Sequence, residues 1–230
     1  MKTDSRVNPK IAFGSREHSR GMNAIDEIEF YSKLWSPTAG GLMFKRLAKK
    51  ALKLNPGAKE IADIGTGPGT WAIQLAKVSG KKVKAVDLAP NMLKKANEFA
   101  TRMGVEIETI EANCENLPFE DKSLDLVTSS SLIHMLDDLV PFFKELKRVV
   151  KPGGKALIAG MRRDTWWIIR KLSDFSTNVM RKLNKPLDGM GAVLDASFTK
   201  EELESLLNKA GLDSFSIKEG IITLQTTINF

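Results

Sequence analysis

The sequence is poor in the residues that build covalent cross-links and transition-metal sites. It has one cysteine, Cys114, and two histidines, His18 and His134, among 230 residues. A single cysteine excludes an internal disulfide and a cysteine-rich metal cage, and two histidines disfavour a zinc site. We therefore expect no resident metal ion and a reducing compartment.

Long apolar runs are also missing. No run approaches the ~20 residues that cross a bilayer, and the N-terminal stretch MKTDSRVNPKIAFGSREHSRG lacks the apolar core of a secretory signal. The sequence therefore favours a cytoplasmic protein with no transmembrane segment.

Charge of one sign is only modestly in excess. The chain is 42% hydrophobic and 27% charged, which is typical of a globular domain with a sizeable core. Lys and Arg number 35 against 28 Asp and Glu, a net charge of +7. Such an excess fits an acidic small substrate, a nucleic acid, an anionic membrane surface, or simply a basic exterior.

Strand-type and helix-type segments alternate along the middle of the chain. Short apolar runs such as KEIADIG, KKVKAVDLA and LDLVTSSS are separated by helical patterns such as TWAIQLAKVSG, which Gly80 closes. The pattern predicts an α/β fold, a doubly wound, mostly parallel seven-stranded sheet with a C-terminal antiparallel hairpin and a helical lid insertion. We expect one domain, divided into a tail and cap helix (1–41), a ligand-binding core (42–160), a lid (161–196), and a closing helix and strands (197–230).

Local signals add detail to this outline. Pro141 is expected to kink or begin the helix in MLDDLVPFFKELKRVV. The sequence KPGG is expected to be a turn before the next strand. Thr199 and Glu202 have the spacing of a capping box.

The stretch IADIGTGPGTW places Gly65, Gly67 and Gly69 directly after a buried strand. Such a turn lets backbone N–H groups approach a ligand closely, at the carboxyl edge of a parallel sheet. A dinucleotide site wants G-x-G-x-x-G, but Thr70 stands at the third glycine position and Pro68 removes a donor. A dinucleotide is disfavoured but stays open as an alternative.

Asp63 to Gly69 instead reads D-x-G-x-G-x-G, and here the chain resembles the class I S-adenosylmethionine-dependent methyltransferases. The resemblance covers about residues 42 to 160 and the closing hairpin. It implies that the turn, with Gly65, Thr66 and Gly67, approaches S-adenosyl-L-methionine, and that Asp63 contacts its methionine amino group, often through water.

The resemblance also assigns the rest of the cofactor site. Asp87 ends the second strand and would accept hydrogen bonds from the ribose hydroxyls, while Leu88 and Met92 would flank the adenine. In EANCENLPFEDKSLDLV, which resembles a family segment G-D-A-E-x-L-P-F, Asn113 stands where aspartate is usual. Its carbonyl would accept from the adenine amino group, and the Cys114 N–H would meet a ring nitrogen.

The end of the fourth strand lies nearest the transferring methyl group in this family. Here it reads Thr128, Ser129, Ser130, Ser131, with no (D/N)-P-P-(Y/F) motif of adenine or glutamine amino-methyltransferases. We include Ser129 and Ser130 among the candidate cofactor-binding residues.

His134, shortly after this strand, resembles the histidine of phosphoethanolamine methyltransferases, which pairs with an N-terminal tyrosine. Tyr31 is the one tyrosine of the chain, so we expect a catalytic Tyr31–His134 pair. The alternative is that His134 satisfies a backbone carbonyl at a helix start.

The segment 162–190 carries Trp166, Trp167, Ile168 and Ile169 beside several Lys and Arg residues. As a lid it would suit a small amphiphilic or acidic acceptor, such as a lipid-like quinone precursor; as an ordinary helix it would only pack. We therefore expect a small-molecule methyltransferase. The alternatives are an RNA methyltransferase, a non-catalytic protein that binds S-adenosylmethionine, and an NAD-dependent oxidoreductase. No separate RNA-binding module is visible.

Overall fold

The computed structural model describes residues 29, 32–33, 36–37, 40–182 and 190–230, and in them the chain forms one seven-stranded sheet. The strands are β1 Ile61–Ile64, β2 Val83–Asp87, β3 Ile107–Glu111, β4 Leu124–Ser130, β5 Val150–Met161, β6 Phe215–Glu219 and β7 Thr223–Asn229. The helices are α1 Gly41–Leu54, α2 Thr70–Ser79, α3 Pro90–Met103, α4 Leu139–Val149, α5 Trp167–Lys182, α6 Met190–Ala196 and α7 Lys200–Lys209, with a 3₁₀ helix at Ile133–Met135.

The strand order is β3-β2-β1-β4-β5-β7-β6. Strands β1 to β5 pair in parallel, whereas β7 is antiparallel to both β5 and β6. The order reverses between β1 and β4, which creates a crevice at the carboxyl ends of these strands. The predicted doubly wound sheet with a closing antiparallel hairpin is confirmed.

Helices cover both faces of the sheet. On one face, α1 and α2 bury Phe44 and Trp71 against Leu126 and Leu157. On the other face, α4 and α7 form a second core, whose largest members are Phe142, Phe143, Leu146, Leu203 and Leu207. Apolar cover on both faces explains why the central strands read as continuous apolar runs.

Three local signals define element ends as expected. Helix α2 ends at Gly80, whose φ of 67° lets its N–H reach the Ala76 carbonyl. Helix α7 begins with the Thr199–Glu202 capping box. Pro141 lies in the first turn of α4, so it begins that helix and does not kink it.

The prediction of a separate KPGG turn is wrong. Residues 151–154 belong to β5, which runs from Val150 to Met161. The pairing shifts there, since Leu124 pairs with Val150 and Leu126 already pairs with Lys155. The four residues therefore form an irregularity inside the strand.

Residues 1–28 lie outside the described residues, so the expected tail and the fourfold division of the chain stay predictions. No helix of the described part is both long and apolar enough to cross a membrane.

Candidate functional site

The glycine turn joins β1 to α2. Gly65, Gly67 and Gly69 all have positive φ, at 68°, 53° and 79°. A Cβ added to Gly65 would lie 2.9 Å from the Leu132 side chain, and one added to Gly69 would lie 2.7 Å from the Ala96 Cβ. Both glycines are thus required by backbone conformation and by close packing.

Asp63 is buried beneath this turn. Its carboxylate accepts hydrogen bonds from the hydroxyls of Thr66 (2.7 Å) and Thr128 (2.6 Å). Burial raises the pKa of Asp63 to about 6, although both hydroxyl donors act in the opposite direction. At neutral pH the site therefore holds a buried negative charge on the β1 end of the crevice.

Asp87 supplies a second carboxylate at the end of β2. It accepts the N–H of Gly67 at 2.7 Å and the N–H of Ala89 at 3.0 Å. Burial raises its pKa above the ordinary value, while these backbone donors oppose the rise. The Asp87 carboxylate thus fixes the glycine turn relative to β2 and retains lone pairs for further donors.

The segment after β3 is also held in place. Asn113 is exposed, and its carbonyl oxygen accepts the Glu115 N–H at 3.0 Å. Cys114 is buried, and burial raises its thiol pKa to about 12, so the thiol is protonated and not nucleophilic.

Two residues expected beside an adenine differ in exposure. Leu88 is 41% exposed at the carboxyl edge, in keeping with contact to a ligand. Met92 is almost fully buried at 1%, so little of its side chain is open to a ligand.

The end of β4 divides its side chains between the sheet faces. Thr128 points to the face of Asp63, which its hydrogen bond shows, and Ser130 follows with the same alternation. Ser129 is fully buried on the opposite face, where its hydroxyl has no hydrogen-bond partner among the described residues. The structure therefore places Ser130 and Ser129 in different environments.

A sharp turn follows β4. Ser131 has a φ of 58°, uncommon for a residue other than glycine. The turn brings Leu132 onto Gly65 and Ile133 onto Gly160, where a Cβ would lie 2.6 Å from Ile133 Cδ1. Strain of this kind gathers at functional sites.

His134 lies on the 3₁₀ helix that this turn starts. It is buried, and burial lowers its pKa to about 4, so its imidazole is neutral at pH 7. Tyr31 lies outside the described residues, so its predicted pairing with His134 stays a prediction.

Sequence reasoning missed several supporting residues. The sequence places Thr128 at the end of β4, but its contact with Asp63 follows from the register of β4 against β1, for which the sequence holds no local signal. Arg148 has no motif around it in the sequence, yet its guanidinium donates to the Phe119 carbonyl at 2.8 Å and the Leu117 carbonyl at 3.0 Å. Glu145 binds Arg148 and accepts the Leu117 N–H at 2.6 Å. Together they clamp the segment after Cys114 onto α4.

Among the described residues, no group of three or more His, Cys, Asp or Glu side chains is arranged to hold a metal ion. The structure instead brings Asp63, Gly65, Thr66, Gly67 and Asp87 together at the carboxyl edge.

Comparisons with known proteins agree on one family. Residues 62–158 match the family model described as "Methyltransferase domain". The chain is 34% identical over 164 residues to a demethylmenaquinone methyltransferase of Chlorobaculum tepidum, covering 69% of this chain and 66% of that protein. It is 28% identical over 174 residues to the Bacillus subtilis protein of the same name, covering 71% and 74%.

A solved structure from Methanococcus maripaludis, described as an S-adenosyl-L-methionine-dependent methyltransferase, has a similar fold. Its TM-score is 0.64 at 22% identity, and the match covers 94% of this chain and 93% of that one.

Proposed function

Because the chain belongs to the class I S-adenosylmethionine-dependent methyltransferases, we propose that it methylates an amphiphilic quinone in the reduced, hydroquinone form. S-adenosylmethionine is the cofactor of this family, and S-adenosylhomocysteine is its product. The acceptor stays a proposal, since the chain spans 66% of the length of the Chlorobaculum tepidum relative.

The residues of the crevice fit this cofactor. The glycine turn has positive φ at Gly65, Gly67 and Gly69, a backbone conformation that lets N–H groups approach a ligand closely. Asp87 offers carboxylate lone pairs to a ribose, and Asp63 offers buried negative charge to a cationic amino group. Asn113 retains a second carbonyl lone pair for the adenine amino group.

When bound, the cofactor supplies an electrophilic methyl group on a positively charged sulfur. The chain's own task is to align the acceptor and exclude water. Ser130 and the turn at Ser131 stand at the β4 end, beside Gly65 through Leu132. We place the acceptor over this strand end.

His134 is the proposed proton acceptor. Each methyl transfer to a hydroquinone ring carbon requires a hydroxyl proton to leave, which makes the ring an electron-rich anion, and the ring carbon's own proton leaves afterwards. The imidazole is neutral at pH 7, but burial holds its pKa near 4 and makes it a weak base. Proton transfer to His134 therefore requires that contact with the acceptor hydroxyl raises this pKa toward the working pH. The proposed partner Tyr31 would orient the same hydroxyl.

The observation that carries the acceptor class is the apolar surface directly after β5. Trp166, Trp167 and Ile168 are exposed and Ile169 is half-buried. A contiguous patch of exposed tryptophan and isoleucine is typical of a surface that contacts a ligand or partner. A quinone with an apolar tail, as the names of the curated relatives imply for their substrate, offers such a ligand.

Transfer of a tritium-labelled methyl group tests the proposal. We expect label in a short-chain demethylnaphthoquinol under reducing conditions, and none in the oxidised quinone or in RNA. Label in RNA alone would contradict it.

Variants separate binding from chemistry. Asp87→Ala should abolish S-adenosylhomocysteine binding in calorimetry, whereas Asp213→Ala, an exposed carboxylate ahead of β6, should not. His134→Asn should lower kcat far more than it lowers cofactor affinity. Equal turnover of the wild type and this variant would show that His134 takes no part in the reaction. Tyr31→Phe tests the pairing in the same way. The cytoplasmic location stays a prediction.

A further inference from the structure

Large apolar side chains that are exposed gather at one edge of the molecule. In the described part of the chain they are Leu42, Met43, Leu88, Trp166, Trp167, Ile168, Leu172, Phe175 and Ile221. Leu88 follows β2, and the run from Trp166 follows β5, so both lie beyond the carboxyl ends of parallel strands.

The others lie at the same edge. Ile221 precedes Thr223, which pairs with Met161 at the end of β5. Leu42 and Met43 lie in the first turn of α1, whose other end, Leu54, precedes the amino end of β1 at Ile61, so the first turn lies toward the carboxyl edge. These exposed apolar side chains therefore lie at the carboxyl edge of the sheet, where we place the methyl-transfer site.

Helix α5 contributes the largest part of this surface. Ile168, Leu172 and Phe175 have i, i+4, i+7 spacing, so they form one stripe. Trp166 (67%), Trp167 (70%), Leu172 (67%) and Phe175 (69%) are each about two-thirds exposed. The three aromatic residues alone leave about 400 Å² in water, comparable to the largest patch of a typical monomer. The opposite side of α5 is the packed one, with Ser173 buried.

The charges around the stripe are not balanced. Acidic neighbours are neutralised, because Arg170 binds Asp174 and Asp195, and Arg162 binds Asp164. Arg162 also binds Glu219. Lys171 and Lys182 are exposed on α5, and neither forms an ion pair with a described carboxylate.

We propose that the exposed face of α5, defined by Trp167, Ile168, Lys171, Leu172 and Phe175, docks on the surface of an anionic lipid bilayer. Interfacial helices combine such an aromatic and aliphatic face with lysines whose charged ends reach the headgroups. The Lys171 Nζ lies 5.2 Å from the centre of the Trp167 ring, so the ammonium group and the indole are in contact on the same face of α5. The net charge of +7 favours the same surface.

Docking in this orientation would place the carboxyl edge against the membrane. The docking proposal rests on the proposed function in one respect: docking would give the site access to an acceptor dissolved in the bilayer. The binding itself follows from the surface of α5.

Vesicle sedimentation tests the docking. We expect the protein to bind vesicles of equal parts phosphatidylcholine and phosphatidylglycerol, and to bind phosphatidylcholine alone at least tenfold more weakly. The double variant Leu172→Ser/Phe175→Ser should lose about 30-fold in partitioning, whereas Leu172→Ile/Phe175→Leu should retain it. Lys171→Glu should lose about tenfold, while Lys82→Glu, between α2 and β2 at the opposite edge, should lose little.

Three results would overturn the docking. One is no binding to either vesicle; another is unchanged binding of the double serine variant. The third is a dimer in sedimentation equilibrium that this variant dissociates, without vesicle binding, which would make the face an interface between two copies. S-adenosylhomocysteine calorimetry on each variant confirms the fold. Vesicle binding without methyl transfer to any quinol would remove the acceptor proposal and leave the docking standing.

Discussion

The buried carboxyl of Asp63 should make the stability of this protein fall as pH rises toward neutrality. Burial raises its pKa from 3.8 to about 6, so the folded protein holds this proton over a pH range in which the unfolded chain has released it. The substitution Asp63→Asn keeps the shape of the side chain and removes its titratable carboxyl group.

The sign follows from linkage. A group whose folded pKa is raised stabilises the fold fully below the unfolded pKa, and that stabilisation is lost as pH rises through the folded pKa. The whole change amounts to about 3 kcal/mol. Between pH 4.5 and pH 7, the free energy of unfolding of the wild type should fall by about 2 kcal/mol relative to Asp63→Asn.

Urea unfolding followed by tryptophan fluorescence measures the difference at each pH. Asp125→Asn is the matched control. Although burial raises the pKa of Asp125, hydrogen bonds from Lys151 and from backbone N–H groups lower it to about 2. Its stabilisation is lost only as pH falls below about 4, so the control difference should be flat from pH 4.5 to pH 7. A flat difference for Asp63→Asn would refute the reasoning.

Two further substitutions have internal controls. Gly69→Ala should lower the free energy of unfolding by about 1–3 kcal/mol more than Gly80→Ala, as measured by urea unfolding. Both glycines have positive φ, but an added Cβ meets Ala96 at Gly69 and nothing within 4 Å at Gly80. Equal losses would show that the contact with Ala96 is relieved at no cost. Arg148→Ala should weaken S-adenosylhomocysteine binding about tenfold, because it releases the segment after Cys114. The substitution of its neighbour, Lys147→Ala, should not weaken this binding. Equal affinities of the two variants would show that the contacts of Arg148 are not needed for cofactor binding.

Local chemistry decided the elements and the shape of the glycine turn. Gly80 and Thr199 define helix ends through backbone geometry and a side-chain cap, which depend on neighbours in the chain. The same holds for the glycines after β1, whose positive φ belongs to the turn itself. The sequence KPGG does not end the strand, because Val150 before it and Lys155 after it both pair with β4.

From its residues alone, the chain could be assigned its alternation of strands and helices, the carboxylates Asp63 and Asp87 at strand ends, and the family they indicate. Three features needed the folded chain: Thr128 donates to Asp63, Arg148 holds the segment after β3, and Ser129 turns away from the crevice. The contacts of Thr128 with Asp63 and of Arg148 with backbone carbonyls join residues 29 to 65 positions apart. They depend on strand register and on which helix covers which face, and no local pattern encodes either.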